Sequence, residues 1–444
     1  MKKILILGAG LVSKPMVEYL LERNFEIRIA SPMKERADDM IGNNPNGSSI
    51  DWSMDDLETL KKMISEYDIT VSLLPYRFHS EVAVLCIRYK KPLVTTSYVQ
   101  PAMKLLDEEA KKAGIILLNE IGLDPGVDHM SAMKVIDKIH VNGGKVGEFY
   151  SLCGALPAPE AVDNPLGYKF SWSPKGVILA SRNSALYLKG GRRIYIEPSD
   201  LFKDTFVYNF PGIGELEVYP NRDSISYSEI YNIPEVYTMY RGTLRYKGWC
   251  ETLDAMKGLN MLDDTPNDYN GMSFADFLAE RAGTSTLNLR KNIAVKLSIR
   301  ENSAAMKGLD WLGFFSNEMM NCDETTPFEI TSDRMIKLMA LGDSERDMVA
   351  MQHIFLASYP GGKREVIKSS LLGFGSTNTN TAIARTVALP AAIAAKMIIE
   401  KKIGLTGVHR PVVPEIYNPV LNELATLGIE MKEEWGLPLS EMIF

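Results

Sequence analysis

Six short segments in the first 126 residues decide most of what this chain can fold into. They read ILIL (4–7), EIRIA (26–30), SSIDW (48–52), ITVSLL (69–74), PLVTTS (92–97) and GIILL (114–118). Most are apolar almost throughout rather than alternating, the pattern of strands covered on both faces. Between the first two, Val12, Met16, Val17, Leu20 and Leu21 recur at helical spacing. Between the third and fourth, Leu57, Leu60 and Ile64 do the same behind a Ser53–Asp56 capping box. Strand and helix in regular alternation give a parallel sheet with helices on both sides.

The texture then changes. From Gly143 to Gly248 tyrosine, proline and glycine rise, and strands such as EFYSLC and RIYIE look half-exposed and mixed. Residues 251–345 are mostly helical in pattern, with AMKGL, FADFLAERA and DWLGFF. Residues 348–372 read as a hairpin around Pro360-Gly361-Gly362, and an apolar helix, TAIARTVALPAAIAAKMII, precedes the tail. A length of 444 residues exceeds one ordinary core. The expected fold class is α/β in three parts. An N-terminal Rossmann-type parallel-sheet domain takes 1–126 plus 376–444. A mixed α/β substrate-binding and dimerisation domain takes 127–250 plus 346–375, and a mainly helical insertion takes 251–345.

With 49 basic against 56 acidic residues the net charge is −7, which argues against nucleic acid or an anionic membrane as the main partner. No apolar stretch approaches the roughly 20 residues of a membrane span. Cys86, Cys153, Cys250 and Cys322 lie far apart, with no CxxC pair, and the five histidines lack metal-ligand spacing. No metal site is expected, and a reducing cytoplasm fits.

The first strand runs directly into Gly8-Ala9-Gly10-Leu11-Val12-Ser13. Glycine at 8 permits a tight turn, and at 10 it lets the backbone approach a pyrophosphate, towards which the amides of the following helix point. Pro15 falls in the first turn, where its missing N–H costs little. The second strand ends Ala30-Ser31-Pro32, without the acid that usually reads the ribose hydroxyls of NAD, and Lys34 and Arg36 lie beyond it. That basic pair either attracts a 2′-phosphate or is a pair of solvated helix charges, so NADP and NAD both stay open.

NEIGLDPGVDHM (119–130) follows the sixth segment, where the carboxyl ends of the strands line a ligand crevice. Asp124 before Pro125 fits N-cap and first helical position, and Val127, Met130, Met133, Ile136 and Ile139 continue an amphipathic helix. His129 is open to two readings, a donor to substrate or a satisfied packing residue.

GLDPGVDH, SLLPYRFH (72–79) and TTSYVQPA (95–102) occur together with SLCGALPAPE (151–160), NPLGYKFSWSP (164–174), YPNRDS (219–224) and RGTLRYKG (241–248). In these blocks the chain resembles the saccharopine dehydrogenase family, L-glutamate-forming, also called saccharopine reductases. The stretch 373–390, GFGSTNTNTAIARTVALP, departs from the family's glycine- and tyrosine-containing loop.

The resemblance implies an NAD(P)-dependent dehydrogenase of lysine metabolism acting on a CH–NH group. It would interconvert saccharopine with L-glutamate and 2-aminoadipate 6-semialdehyde through an imine. Fungal members use NADP and the animal bifunctional form NAD; the SPMKER stretch is nearer the latter, though without its acid. By similarity, Ser97, Tyr98, Asp124, Arg222, Thr243, Leu244 and Arg245 contact substrate. Gly8, Ala9, Gly10, Leu11, Val12, Ser31, Leu74, Pro75 and Tyr76 contact the cofactor, and Asp124, Tyr98 and Cys153 surround the reacting amine. A homodimer is also implied. The chemistry suits these types, because guanidinium groups hold carboxylates in bidentate fashion and saccharopine carries three. Arg222, Arg241 and Arg245 nevertheless also read as plain surface charges, and Cys153 as a small core residue. Two other functions compete. One is an imine-reducing enzyme of polyamine metabolism, of the carboxynorspermidine dehydrogenase or homospermidine-forming kind, in which the NRDS and RGTLRY blocks are not expected. The other is a dinucleotide-binding regulator without turnover.

Overall fold

The computed structural model describes residues 1–320, 325–377 and 380–443; Cys322 and part of the 373–390 stretch lie outside them. The strands are β1 (Lys3–Leu7), β2 (Glu26–Ser31), β3 (Gly47–Asp51), β4 (Ile69–Ser72), β5 (Leu93–Thr95), β6 (Ile116–Leu118), β7 (Lys145–Pro157) and β8 (Ala185–Lys189). They continue with β9 (Arg192–Ile196), β10 (Phe206–Phe210), β11 (Gly214–Pro220), β12 (Thr238–Arg245), β13 (Asp347–Ser358), β14 (Arg364–Phe374), β15 (Gly407–His409) and β16 (Lys432–Leu437).

The first sheet has the order β15-β6-β5-β4-β1-β2-β3, and every pairing in it is parallel. Ile4, Leu5, Ile6 and Leu7 are fully buried, as both-face cover demands. The strand order reverses between β1 and β4, which places the topological switch point beside the end of β1. The apolar runs predicted at 69–74, 92–97 and 114–118 contain shorter ladders, and the residues left over at 73–74 and 96–97 form loops at the sheet's carboxyl end. The expected Ser53–Asp56 capping box is displaced. The chain turns over 53–56, with the Asp56 amide donating to the Ser53 carbonyl at 3.1 Å, so Asp56 itself caps the helix Leu57–Glu66 by accepting from the Thr59 amide at 3.0 Å.

The apolar helix Ala382–Ile399 packs on the helix Lys14–Glu22, capped by the Thr381 hydroxyl on the Ala384 amide. Among the described residues it is the one helix long and apolar enough to cross a membrane, contrary to the expectation that none is. Most of it is buried, as in the core helix of a globular protein.

The second sheet is mixed, in the order β10-β11-β12-β7-β13-β14-β16, with β8 joined to β12 and β9 to β8. β12 runs parallel to β7 and antiparallel to β11. The 348–372 hairpin forms around the turn Pro360–Gly362. The chain divides into two compact units. The first comprises Met1–Val146, Ile230–Asn232 and His353–Ser440; the second comprises Gly147–Glu229, Ile233–Gln352 and Glu441–Phe444. The second unit holds the helices Trp249–Gly258, Phe274–Ala282, Leu289–Leu297, Ala304–Trp311 and Pro327–Leu338. Ser273/Asp276 and Thr326/Glu329 make reciprocal capping boxes on two of them.

Candidate active site

In the first unit, β1 leads into a turn shaped for close backbone approach. Gly8 sits at φ +106, and a Cβ there would lie 3.2 Å from the Leu73 carbonyl oxygen, so the position requires glycine. A Cβ on Gly10 would meet nothing within 4 Å, which leaves room at the mouth of the helix Lys14–Glu22. Ala9 and Ser13 are buried, Val12 is half-buried and Leu11 is exposed. Ser13 packs as the small third residue of the loop, its hydroxyl donating to the Gly8 carbonyl at 3.3 Å. These features fit a dinucleotide pyrophosphate held by helix amides.

Ser31 ends β2 with a buried hydroxyl that accepts from the Met33 amide at 3.1 Å. Lys34 is paired with Asp38 one turn along, whereas Arg36 makes no ion pair among the described residues. Leu74, Pro75 and Tyr76 follow β4; Leu74 is half-buried and the other two are exposed.

Ser97, Tyr98 and Asp124 lie at the carboxyl ends of β5 and β6, each half-buried. The Tyr98 hydroxyl donates to Asp124 Oδ1 at 3.1 Å. Two buried residues with no role assigned above hold this loop. His79, at the start of the helix His79–Tyr89, contacts Ser72 Oγ through Nδ1 at 3.0 Å. Its Nε2 lies 2.9 Å from Ser97 Oγ and 3.0 Å from Thr95 Oγ1. Burial pushes the imidazole down to about 4, so it is neutral.

Glu120 is the second, held at φ +58 and almost fully buried. Its Oε1 accepts from the Val99 amide and from Arg410 Nε, both at 2.8 Å, and its Oε2 lies 2.8 Å from His129 Nε2. Burial alone would raise its carboxyl. His129, Arg410 and the Val99 amide outweigh it and hold the group below the usual carboxylate range.

The DPG stretch departs from the predicted helix start. The Asp124–Pro125 peptide is cis, and the helix begins at Val127 with Gly126, at φ +147, as its N-cap. The Gly122 amide donates to the Pro125 carbonyl at 2.9 Å and closes a loop before any helical turn forms. Asp128 accepts from backbone amides there: Gly126 at 2.5 Å and His129 at 2.7 Å. The N-cap of this helix is Gly126 and not Asp124, whose carboxylate accepts from the Tyr98 hydroxyl. His129 follows its packing reading. It is fully buried, with Nδ1 2.9 Å from the Tyr231 hydroxyl and Nε2 on Glu120.

In the second unit, β7 and β12 bring Cys153 and Thr243 into parallel register. Side chains alternate along a strand, so Thr243 and Arg245 share one face of β12 while Leu244 takes the other. Leu244 is fully buried, and its side chain is therefore core; a ligand contact from this residue would come from its backbone. Arg245 is 5% exposed, and its Nη1 donates to the Leu244 carbonyl at 2.8 Å. Its guanidinium lies 4.8 Å from the Tyr168 ring, 5.5 Å from Trp249 and 6.0 Å from Tyr219.

Glu217 stands opposite Arg245 across the antiparallel ladder, yet the two form no ion pair. Burial raises the Glu217 carboxyl, and it shares a hydrogen bond with Cys250 instead. Among the described residues no carboxylate forms an ion pair with this buried guanidinium, and a buried charge without such a partner is costly. Arg241 is buried as well, 4.3 Å from the Tyr227 ring. Arg222, at φ +50, is exposed. The surface-charge reading therefore fits Arg222 and fails for Arg241 and Arg245.

Two family profiles span this arrangement. The saccharopine dehydrogenase NADP binding domain matches residues 4–118, and the saccharopine dehydrogenase C-terminal domain matches residues 122–429. The chain belongs to the saccharopine dehydrogenase family. The saccharopine dehydrogenase [NADP(+), L-glutamate-forming] of Schizosaccharomyces pombe is 38% identical, over 98% of this chain and 99% of that one. The mitochondrial alpha-aminoadipic semialdehyde synthase of Bos taurus is 38% identical over 96% of this chain, which covers 47% of that longer protein. The apo L-Glu-forming saccharopine dehydrogenase of Saccharomyces cerevisiae superimposes with a TM-score of 0.91 at 37% identity, covering 98% of this chain and all of that one. A homospermidine synthase from Legionella pneumophila shares the fold, with a TM-score of 0.55 at 11% identity. Family membership accounts for the glycine loop and the α/β class, and it makes the chain an NAD(P)-dependent dehydrogenase.

Proposed function

We propose that this protein interconverts saccharopine with L-glutamate and 2-aminoadipate 6-semialdehyde, in lysine metabolism, with NADP or NAD as partner. The observation that carries this reading is the Tyr98 hydroxyl on the Asp124 carboxylate, 3.1 Å apart at the crest of a dinucleotide-binding sheet. The proposed cofactor contacts are Gly8 to Val12, Ser31 and Leu74 to Tyr76; when bound, the cofactor supplies the hydride acceptor or donor.

In the oxidative direction, the secondary amine of saccharopine must be neutral before its C–H bond breaks. Asp124 accepts a hydrogen bond from the protonated amine, Tyr98 fixes the direction of that carboxylate, and the amine proton passes to solvent water before hydride leaves the adjacent carbon. By the family resemblance, Cys153 and Thr243 are also proposed as substrate contacts. Water then adds to the imine carbon, the C–N bond breaks, and glutamate leaves with the amine nitrogen while the semialdehyde keeps the new carbonyl oxygen. Arg245 is proposed to hold a substrate carboxylate, with the Leu244 backbone beside it and Arg222 as the outer contact. Arg36 favours a 2′-phosphate, which makes NADP the expected preference. A homodimer in the cytoplasm completes the proposal; the buried thiols of Cys86, Cys153 and Cys250 suit a reducing compartment.

The test mixes purified protein with saccharopine and each oxidised cofactor and follows absorbance of the reduced nicotinamide. Asp124→Asn is expected to lower turnover by about two orders of magnitude while dinucleotide affinity stays within about twofold. No reduction of either cofactor by saccharopine, or full turnover in Asp124→Asn, would refute the reading.

A further inference from the structure

His79 lies below the proposed substrate loop, and neither the sequence reading nor the proposed chemistry uses it. It is the first residue of the helix His79–Tyr89, and the segment Leu74–Phe78 that contains the proposed cofactor contacts leads directly into it. Its two ring nitrogens reach three hydroxyls at two adjacent strand ends: Ser72, the last residue of β4, and Thr95 and Ser97, the last residue of β5 and the second beyond it. The Ser97 amide also donates to Thr95 Oγ1 at 3.3 Å, and the Glu120 amide donates to the Ser97 carbonyl at 3.1 Å. Ser97 is thus fixed from below through its hydroxyl and from the side through its backbone, and Tyr98 follows it.

We infer that His79 is a positioning residue for the dehydrogenase reaction. It joins the 74–76 cofactor loop to the 97–98 substrate loop and sets the direction of the Ser97 hydroxyl. The geometry supplies the reason for a histidine. A planar ring with polar atoms at two corners spans Ser72 on one side and both Thr95 and Ser97 on the other. The imidazole does not exchange a proton with substrate, because burial holds it neutral through the physiological range. A hydroxyl can donate or accept, so all three contacts are compatible with one neutral ring bearing one N–H and one bare nitrogen. A glutamine retains a donor and an acceptor at nearly the same reach; a leucine retains the volume alone.

This inference rests on the proposed saccharopine activity, so parent turnover is measured first. An inert parent overturns that reading, whereas the variants below test His79 only in an active background. The set is His79→Leu, His79→Gln, Ser97→Ala and the double variant His79→Leu/Ser97→Ala, each checked for dinucleotide binding by fluorescence titration. His79→Leu is expected to raise KM for saccharopine about tenfold while kcat falls less than about threefold. His79→Gln is expected to recover most of that loss, and the double variant to match Ser97→Ala within about twofold. Equal impairment of the Gln and Leu variants, or an undiminished effect of His79→Leu in the Ser97→Ala background, would overturn the role. If His79→Leu does not fold, His79→Asn, which keeps the polar pair at a shorter reach, and its double variant with Ser97→Ala carry the same comparison. There, full independence of the two changes overturns the inference and loss of the His79 effect supports it.

Discussion

Replacing Arg245 with methionine distinguishes an arginine retained for a ligand from one retained for the fold. In the second unit the guanidinium is 5% exposed and has one hydrogen bond among the described residues, from Nη1 to the Leu244 carbonyl at 2.8 Å. Losing that bond costs about 1 kcal/mol. Losing the three aromatic contacts, at 4.8, 5.5 and 6.0 Å, costs about another 1–2 kcal/mol. Against this stands relief from burying a charge without a carboxylate partner, worth several kcal/mol. No acid is stranded by the change, because Glu217 does not pair with Arg245. The melting temperature of Arg245→Met is therefore expected within about 4 °C of the parent, or above it. Substrate affinity should behave quite differently. A bidentate guanidinium–carboxylate contact comprises two charge-assisted hydrogen bonds, together about 3–4 kcal/mol, which corresponds to roughly 10²–10³-fold in kcat/KM for saccharopine. Calorimetric melting and steady-state kinetics on one preparation give both numbers. A melting point lowered by more than about 8 °C, with kcat/KM within threefold of the parent, would show that Arg245 is structural and would refute the argument.

Three further outcomes follow from the same geometry. Gly126→Ala would place a Cβ 2.1 Å from the Gly122 carbonyl oxygen at φ +147, so a loss of at least about 4 kcal/mol in urea unfolding is expected, or failure to fold. Gly10→Ala meets no neighbour within 4 Å, so its melting point should be unchanged while dinucleotide affinity, read by fluorescence titration, weakens about tenfold or more. The pH dependence of stability should reveal His79. Its pKa falls from 6.5 in the unfolded chain to about 4 in the fold, so its contribution is complete above pH 6.5 and is lost as pH drops towards 4. His79→Gln should lack about 3 kcal/mol of that decline, measured as urea midpoints across the window.

The first sheet was legible in the sequence because parallel strands covered on both faces read as continuous apolar runs, and Ile4 to Leu7 are such a run. The glycine loop was legible because it follows the first strand directly, where Gly8 meets a local backbone demand at φ +106 and Gly10 leaves room for a ligand. The DPG turn was misread for a related reason: Asp-Pro is the usual start of a helix, and only the approach of Gly122 to Pro125 and Gly126 shows that a loop closes first. Alternation along β12 separates Leu244 from Thr243 and Arg245, a distinction the family resemblance did not draw. His79 and Glu120 escaped notice because most of their partners lie in distant segments of the chain. The block SLLPYRFH contained His79, but nothing in its spacing pointed to Ser97. Glu120 gave one local clue, an acid beside the turn, with no sign that it would adopt a left-handed backbone or meet Arg410.

β15 completes the first sheet by pairing with β6, roughly 290 residues earlier in the chain. During synthesis at ~5–20 residues per second, the edge of β6 therefore waits tens of seconds for its neighbour. The helix that covers Lys14–Glu22 emerges only slightly sooner. A nascent chain stalled in the middle of the message would expose an unfinished sheet edge and a bare apolar helix flank, both surfaces that chaperones bind. Gene fusions or split versions of this protein should accordingly keep residues 376–444 on the same polypeptide as 1–126.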